Sequence, residues 1–283
     1  RKDPMYIKFT KMHGLGNDFM VVDLISQRAH LRPDQIKRLA DRHFGIGGTG
    51  VVLIENSEIA DAKMRIFNAD GSESGMAGNC MRCVGKYLHD RGIVPKMEMT
   101  IETASGIKEL TLYSFGGEVR SVRVNMGRAE LAPEKIPVKL SGSSVIDRKV
   151  KVADNEYAIT CVNMGNPHCV IFCERVDRVD VSAIGPLFEN DPLFPARVNT
   201  EFVRVVNRNT LKMRVWERGN GETLACGTGA CAAVVAAVEN GFCEKGEDIT
   251  VKVRGGELVV NYTDEAVYLT GNASLVFNGS VEY

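Results

Sequence analysis

Eight cysteines and five histidines are the side chains of this 283-residue chain best able to move a proton or hold a metal. One cysteine is set apart by its neighbours. In the stretch Glu217-Arg218-Gly219-Asn220-Gly221-Glu222-Thr223-Leu224-Ala225-Cys226-Gly227-Thr228-Gly229-Ala230-Cys231, Cys226 lies in a glycine-flanked turn just before an apolar run that reads as a helix. The unsatisfied N–H groups and positive end of such a helix favour a thiolate. Positions of this kind lower a cysteine pKa to roughly 3.5–7.5 from about 8.5. With only Gly227 beside them, the same N–H groups offer a seat for a substrate carboxylate. The competing reading is a small buried cysteine packed behind a tight turn, against which the glycines and the helix start both argue.

Other motifs do not survive inspection. Gly45-Ile46-Gly47-Gly48-Thr49-Gly50 matches the dinucleotide fingerprint by letter. That loop must follow a strand and open a helix, and here the helix (Leu31 to His43) comes first and the strand (Val51 to Glu55) second. Cys80-Met81-Arg82-Cys83 is a lone C-x-x-C, and His13, His30, His43, His89 and His168 are scattered, so no structural metal site is expected, while a thiol redox role for the pair stays open without further support. Cys161, Cys169, Cys173 and Cys243 sit among apolar neighbours and read as core residues.

The elements that must position Cys226 occur twice. Shifted by 149 residues, Gly16-Asn17 meets Gly165-Asn166, and Lys63-Met64-Arg65-Ile66-Phe67 meets Lys212-Met213-Arg214-Val215-Trp216. Glu73 meets Glu222, Gly78 meets Gly227, Gly92 meets Gly241 and Gly106 meets Gly255, all in one register. Each half reads as short strands, a glycine-rich turn, then a helix: Asn79 to Asp90 in the first, Thr228 to Asn240 in the second, both stopped by a glycine. Many strands with one principal helix per half predict an α+β chain of two lobes. The N-terminal lobe is placed at 5–122, with 274–283 returning to it, and the C-terminal lobe at 123–273.

If two helix starts converge on one carboxylate, each offers a base to one face of the α-carbon. That suits racemisation, in which one group removes the α-proton and the opposite one returns a proton. No pyridoxal is then needed, provided the developing charge is stabilised.

At this point the chain resembles the diaminopimelate epimerase family. The matching stretches are Lys11 to Phe19, Arg65 to Glu73, Met164-Gly165-Asn166-Pro167-His168, Val198-Asn199, and Glu217 through Cys231. The resemblance implies two pseudo-symmetric β-rich lobes, each wrapping a central helix, with the site between them. It implies interconversion of LL- and meso-diaminopimelate without cofactor or metal, in a homodimer that makes lysine and peptidoglycan precursors. Carried over by position, Cys226 is one catalytic thiol, and Gly78, Asn79, Gly227 and Thr228 hold the reacting carboxylate. Asn68, Asn166, Asn199 and Arg218 grip the distal end, Asn17 lines the pocket, and His168 and Glu217 orient the reacting centre and tune the thiols.

The sequence departs from the family pattern at the second thiol. Where the family has Cys-Gly-Asn-Gly, this chain has Ala77-Gly78-Asn79-Cys80, and Ala77 is the residue that the shift aligns with Cys226. Residues three apart share a helix face, so Cys80 is assigned as the replacement base. The alternatives are an engineered alanine at 77 with Cys80 incidental, or a one-base site. Gly48-Thr49-Gly50 also lacks the family's acidic residue. A racemase of another amino acid, histidine for example, and a non-catalytic amino-acid binder therefore stay open.

Composition narrows the setting. With 35 Lys+Arg against 36 Asp+Glu, the chain has no footprint for coating nucleic acid. The longest apolar run, Ala230 to Val238, has nine residues, too few for a membrane span. Met5 reads as a native start, Arg1 to Pro4 as a cloning remnant, and no signal peptide opens the chain. A cytoplasmic protein with reduced thiols is expected.

Overall fold

The computed structural model describes residues 5–75 and 78–283; Ala77, the departure noted above, lies outside the described residues. The chain divides into two units, one running through Val124 and rejoined by Gly271–Tyr283, the other Asn125–Thr270.

The first unit contains β1 (Tyr6–Gly14), β2 (Asn17–Asp23), α1 (Pro33–Ala40), β3 (Gly50–Glu55), β4 (Ala62–Asn68), β5 (Glu73–Ser74), α2 (Gly78–Asp90), β6 (Glu98–Thr103), β7 (Gly106–Phe115) and β8 (Glu118–Asn125). β1 and β2 form a hairpin whose two turn residues, Leu15 and Gly16, both have positive φ, the turn whose twist suits adjoining strands. Two parallel pairs follow, β2 with β3 and β4 with β6. A parallel pair cannot be closed by a tight turn, and α1 and α2 are the crossovers.

The second unit repeats this order with β9 (Arg148–Val152), β10 (Asn155–Asn163), β11 (Pro167–Phe172), α3 (Val181–Glu189), β12 (Asn199–Asn207), β13 (Thr210–Glu217), β14 (Gly221–Glu222), α4 (Gly227–Glu239), β15 (Asp248–Val253), β16 (Gly256–Tyr262) and β17 (Val267–Asn272). Its parallel pairs are β11 with β12 and β13 with β15. The last strand, β18 (Ser274–Glu282), runs antiparallel beside β1. The α+β class stands as expected. The second helix of each unit stands too, and α2 and α4 correspond residue for residue under the 149 shift.

One element is new and one expectation is corrected. α3 is a helix that periodicity missed, because Gly185 and Pro186 interrupt its short run. The repeat register also slips by one after the helices. Thr103 pairs with Gly106 in the first unit and Val253 with Gly256 in the second, so Gly106 corresponds to Gly256, not Gly255. Both open their strands at positive φ, where glycine is the residue that fits without strain.

α4 is apolar all round, which a helix tolerates only when buried. Gly227 through Ala237 are all buried, and the helix packs against β10, β11, β12, β13, β15 and β16. Its alanines let those strands approach closely. α2 is buried from Asn79 to Leu88 and packs against β1, β2 and β7. Arg65–Glu73 and Arg214–Glu222, equivalent under the repeat, brace the short hairpins ahead of the two helices at 2.9 and 2.7 Å.

Candidate active site

Cys226 is the N-cap of α4. Its backbone is extended (φ -130°, ψ 111°), and its sulfur accepts the Gly229 N–H at 3.3 Å. A sulfur thus does what a serine or aspartate oxygen does at other helix starts. Of the first-turn donors, Gly229 is used by the sulfur and Ala230 by the Cys226 carbonyl. Neither of these acceptors takes the N–H of Gly227 or Thr228, the first two donors of the helix, where a carboxylate seat would lie. Thr228 Oγ1 stands 3.6 Å from the sulfur.

The expected depression of the Cys226 pKa is not what the structure gives. Burial pushes the thiol well above its ordinary range, and the carboxylates of Glu217 and Glu201 add to this; the hydrogen bonds from Thr228 and Gly229 oppose it without prevailing. Helix-start chemistry was legible locally. Its opponent, loss of water around a residue only 5% exposed, was not. Cys226 therefore rests as a thiol.

His168 and Asn199 are cross-strand partners in the parallel β11–β12 pair, and Glu201, two residues on, lies on the same face of β12. His168 Nδ1 lies 2.6 Å from Glu201 Oε1, with both side chains fully buried. His168 Nε2 lies 2.8 Å from Asn166 Oδ1, and Asn166 Nδ2 donates to Thr228 Oγ1 at 3.3 Å. Four residues assigned from sequence, Cys226, Thr228, Asn166 and His168, thus form one cluster. Asn199 Nδ2 donates to the Pro167 carbonyl at 2.9 Å, and its Oδ1 accepts the Arg218 N–H at 2.8 Å. Its first role is to hold the turn that carries Glu217 and Arg218. Arg218 itself donates to the Ala196 carbonyl at 2.9 Å.

In the first unit, Gly78 and Asn79 open α2, and Asn79 Oδ1 accepts from the buried Arg82 guanidinium at 2.9 Å. Asn17 begins β2 half-buried, and Asn68 ends β4 exposed, its amide donating to Ser72 Oγ at 3.0 Å. Cys80 is fully buried with its sulfur 3.9 Å from Met64 Sδ, and burial together with the Cys83 sulfur raises its pKa well above the usual range. Burial does not separate it from Cys226, whose thiol is pushed the same way.

The repeat is informative about Cys80. Its equivalent is Gly229, where an added Cβ would stand 3.2 Å from Cys226 Sγ and 2.8 Å from Glu201 Oε1. A side chain at this place in the repeat therefore reaches the space held by the N-cap thiol and the carboxylate. In the first unit the place is filled by Cys80, and Val52 stands where Glu201 stands.

Two residues that sequence reasoning passed over matter here. Glu201 reads as the polar start of a strand, yet it is buried; its apolar equivalent Val52 was the available signal. Glu189, the last residue of α3, accepts from Arg197 Nη1 at 2.7 Å, Gly219 N at 2.8 Å and Trp216 Nε1 at 2.7 Å. It clamps the turn after β13.

Residues 9–132 and 160–276 match the family model described as diaminopimelate epimerase. Diaminopimelate epimerase of Methanococcus maripaludis is 50% identical over 279 residues, covering 98% of this chain and 100% of that protein. The Acetivibrio thermocellus enzyme of the same name is 50% identical over 278 residues, with 98% and 99% covered. Among solved structures, a hydroxyproline epimerase from Agrobacterium vitis with bound trans-4-hydroxy-L-proline superposes at a TM-score of 0.73 with 14% identity, covering 100% of this chain and 94% of that one. A Bacillus anthracis phenazine biosynthesis protein of the PhzF family superposes at 0.72 with 17% identity, covering 99% and 100%. At such identities these two neighbours speak to the fold alone. No helix among the described residues is long and apolar enough to cross a membrane.

Proposed function

Because this chain belongs to the diaminopimelate epimerase family, we propose that it interconverts LL- and meso-2,6-diaminopimelate by proton transfer at one α-carbon, without pyridoxal phosphate. The observation that carries the reading is Cys226 as the N-cap of α4, immediately ahead of the Gly227 and Thr228 N–H groups of its first turn. An α-carboxylate seated on those donors brings its own α-carbon to the sulfur. The same donors stabilise charge that flows into the carboxylate as the α-proton leaves.

A two-base inversion needs one thiolate and one thiol at each moment. Burial and the Glu217 carboxylate hold Cys226 protonated at rest, so it delivers a proton in one direction and must be deprotonated for the other. The second carrier is proposed to be Cys80. Its side chain occupies the place in the repeat that adjoins the N-cap thiol, and Ala77 supplies no sulfur. His168 and Glu217 orient the Cys226 side. Asn17, Asn68, Asn79, Asn166, Asn199 and Arg218 are the proposed contacts to the rest of the substrate, and Gly78 serves the first unit as Gly227 serves the second. A homodimer is carried over from the family on the same terms, and sedimentation equilibrium tests it.

Proton NMR of LL-diaminopimelate in D₂O with the purified protein tests the reading. Loss of the α-proton signal together with growth of the meso isomer is expected. Exchange without inversion would leave Cys226 as the only working carrier, the outcome that Ala77 favours as a second reading. No exchange at all would overturn the proposal.

A further inference from the structure

Glu201 is the group in this site that the reaction scheme does not yet use. It is fully buried, its Oε2 has no hydrogen-bond partner among the described residues, and it lies on the interior face of β12 beside His168. A buried carboxylate is costly unless something compensates it. The first unit shows that the fold does not require it. The equivalents of Glu201 and His168 are Val52 and Phe19, both buried and apolar.

The hydrogen-bond geometry shows what the pair does. His168 Nε2 faces the oxygen of Asn166, so this nitrogen carries a hydrogen. The 2.6 Å contact between His168 Nδ1 and Glu201 Oε1 needs one more hydrogen between them. Whichever atom owns it, the pair holds two protons and no net charge, so the Glu201 charge set against Cys226 is offset within the pair. With Nε2 a donor, Asn166 presents its oxygen to His168 and its amide N–H to Thr228 Oγ1. The Thr228 oxygen is then an acceptor, and its own hydrogen is free for the Cys226 sulfur 3.6 Å away.

We infer that Glu201 is a positioning residue for Cys226: the proton it shares with His168 sets the direction of a hydrogen-bond chain, through Asn166, that ends with the Thr228 hydroxyl donating to the Cys226 sulfur. The inference rests on the reading of Cys226 as a proton carrier. Without Glu201, a neutral His168 is free to place its one hydrogen on Nδ1. Asn166 then turns its amide to Nε2 and its oxygen to Thr228, and the hydroxyl hydrogen leaves the sulfur. The first unit contains no such chain, since Asn79 stands in place of Thr228 and Phe19 in place of His168. The two ends of the reaction are thus differently equipped, with a hydroxyl beside the sulfur of Cys226 and the thioether of Met64 beside that of Cys80.

The test is a cycle of Glu201→Leu and Thr228→Val, each read by the pH dependence of Cys226 alkylation with iodoacetamide, resolved peptide by peptide by mass spectrometry. This readout needs no substrate, so a failure of the proposed reaction leaves it intact. The charged and polar groups facing the sulfur are Glu201 on β12, Glu217 at the end of β13, and Thr228 and the Gly229 N–H on α4. The chain predicts that each single variant moves the midpoint upward by about one pH unit, a tenfold smaller thiolate fraction. Glu201→Leu on top of Thr228→Val then adds nothing. α-Proton exchange in Glu201→Leu is expected to lose at least about tenfold in kcat with KM little changed. A downward shift in Glu201→Leu, in either background, would show Glu201 acting as a bare charge and overturn the inference. So would an unmoved midpoint with lost activity, which is the mark of a purely structural role. Glu201→Val, which copies Val52, serves if the leucine variant fails to fold.

Discussion

Glu189→Ala removes an acceptor that three donors share, and the cost can be worked from their surroundings. Trp216 Nε1 and Gly219 N donate to the two Glu189 oxygens at 2.7 and 2.8 Å, and the carboxylate is only 6% exposed. Deleting it strands the half-buried Trp216 N–H at roughly 1–3 kcal/mol, while the N–H of the exposed Gly219 is left to water at a smaller cost. Arg197, whose side chain is 53% exposed, rehydrates at little cost. A carboxylate at a helix C-terminus also opposes the helix dipole, so its removal returns a few tenths of a kcal/mol. The expected net loss is about 2 kcal/mol, measured by urea unfolding followed through the fluorescence of Trp216, the single tryptophan. Because Gly219 anchors the turn that presents Glu217 and Arg218, KM for diaminopimelate should rise several-fold while kcat changes less. A loss below about 1 kcal/mol with unchanged KM would refute the account of Glu189 as the clamp of this turn.

Further outcomes can be checked directly. Cys80→Ala should abolish conversion to the meso isomer while leaving α-proton exchange at one stereocentre face, read by NMR in D₂O; full activity would remove Cys80 from the mechanism. Gly229→Ala brings a Cβ to 2.8 Å from Glu201 Oε1 and 3.2 Å from Cys226 Sγ, so kcat should fall at least tenfold with the fold retained by circular dichroism. Asp18 is held well below the usual carboxylate range: its burial works the other way, but hydrogen bonds from Arg42 and Lys11 and the Lys11 charge outweigh it. A depressed folded pKa contributes stability above the unfolded pKa and loses it as pH falls through the folded one. Asp18→Asn should therefore lower the unfolding midpoint at pH 7, and the gap from wild type should close progressively below about pH 4. A gap of undiminished size at pH 2 would refute the assignment of that stability to the Asp18 ion pairs.

Much of the fold was legible because it depends on short-range rules. The helices after both glycine-rich turns announce themselves by an apolar run and a terminal glycine, and Gly92 and Gly241 indeed cap α2 and α4 at positive φ. The false dinucleotide motif was dismissed by element order alone, and the structure keeps that order: α1 precedes Gly45 to Gly48, and Gly50 opens β3. α3 was not legible, because nine residues with an internal glycine and proline carry too little periodicity. The one-residue slip after α2 was hidden because a glycine stands at both 255 and 256.

By itself, the amino-acid sequence determined the duplication, the strand–turn–helix around Cys226, and membership of the family. Each of these is written in local spacing or in residue identities that survive alignment. Tertiary structure alone decided the state and the partners of those residues. Glu201 meets His168 across 33 positions of chain only because β11 and β12 pair in parallel with both side chains on one face. Glu189 reaches Gly219 across 30 positions by the docking of α3 on β13. The direction in which the Cys226 thiol is pushed follows from how completely water is excluded from the start of α4. Burial is a property of the packed whole, and no window of sequence contains it.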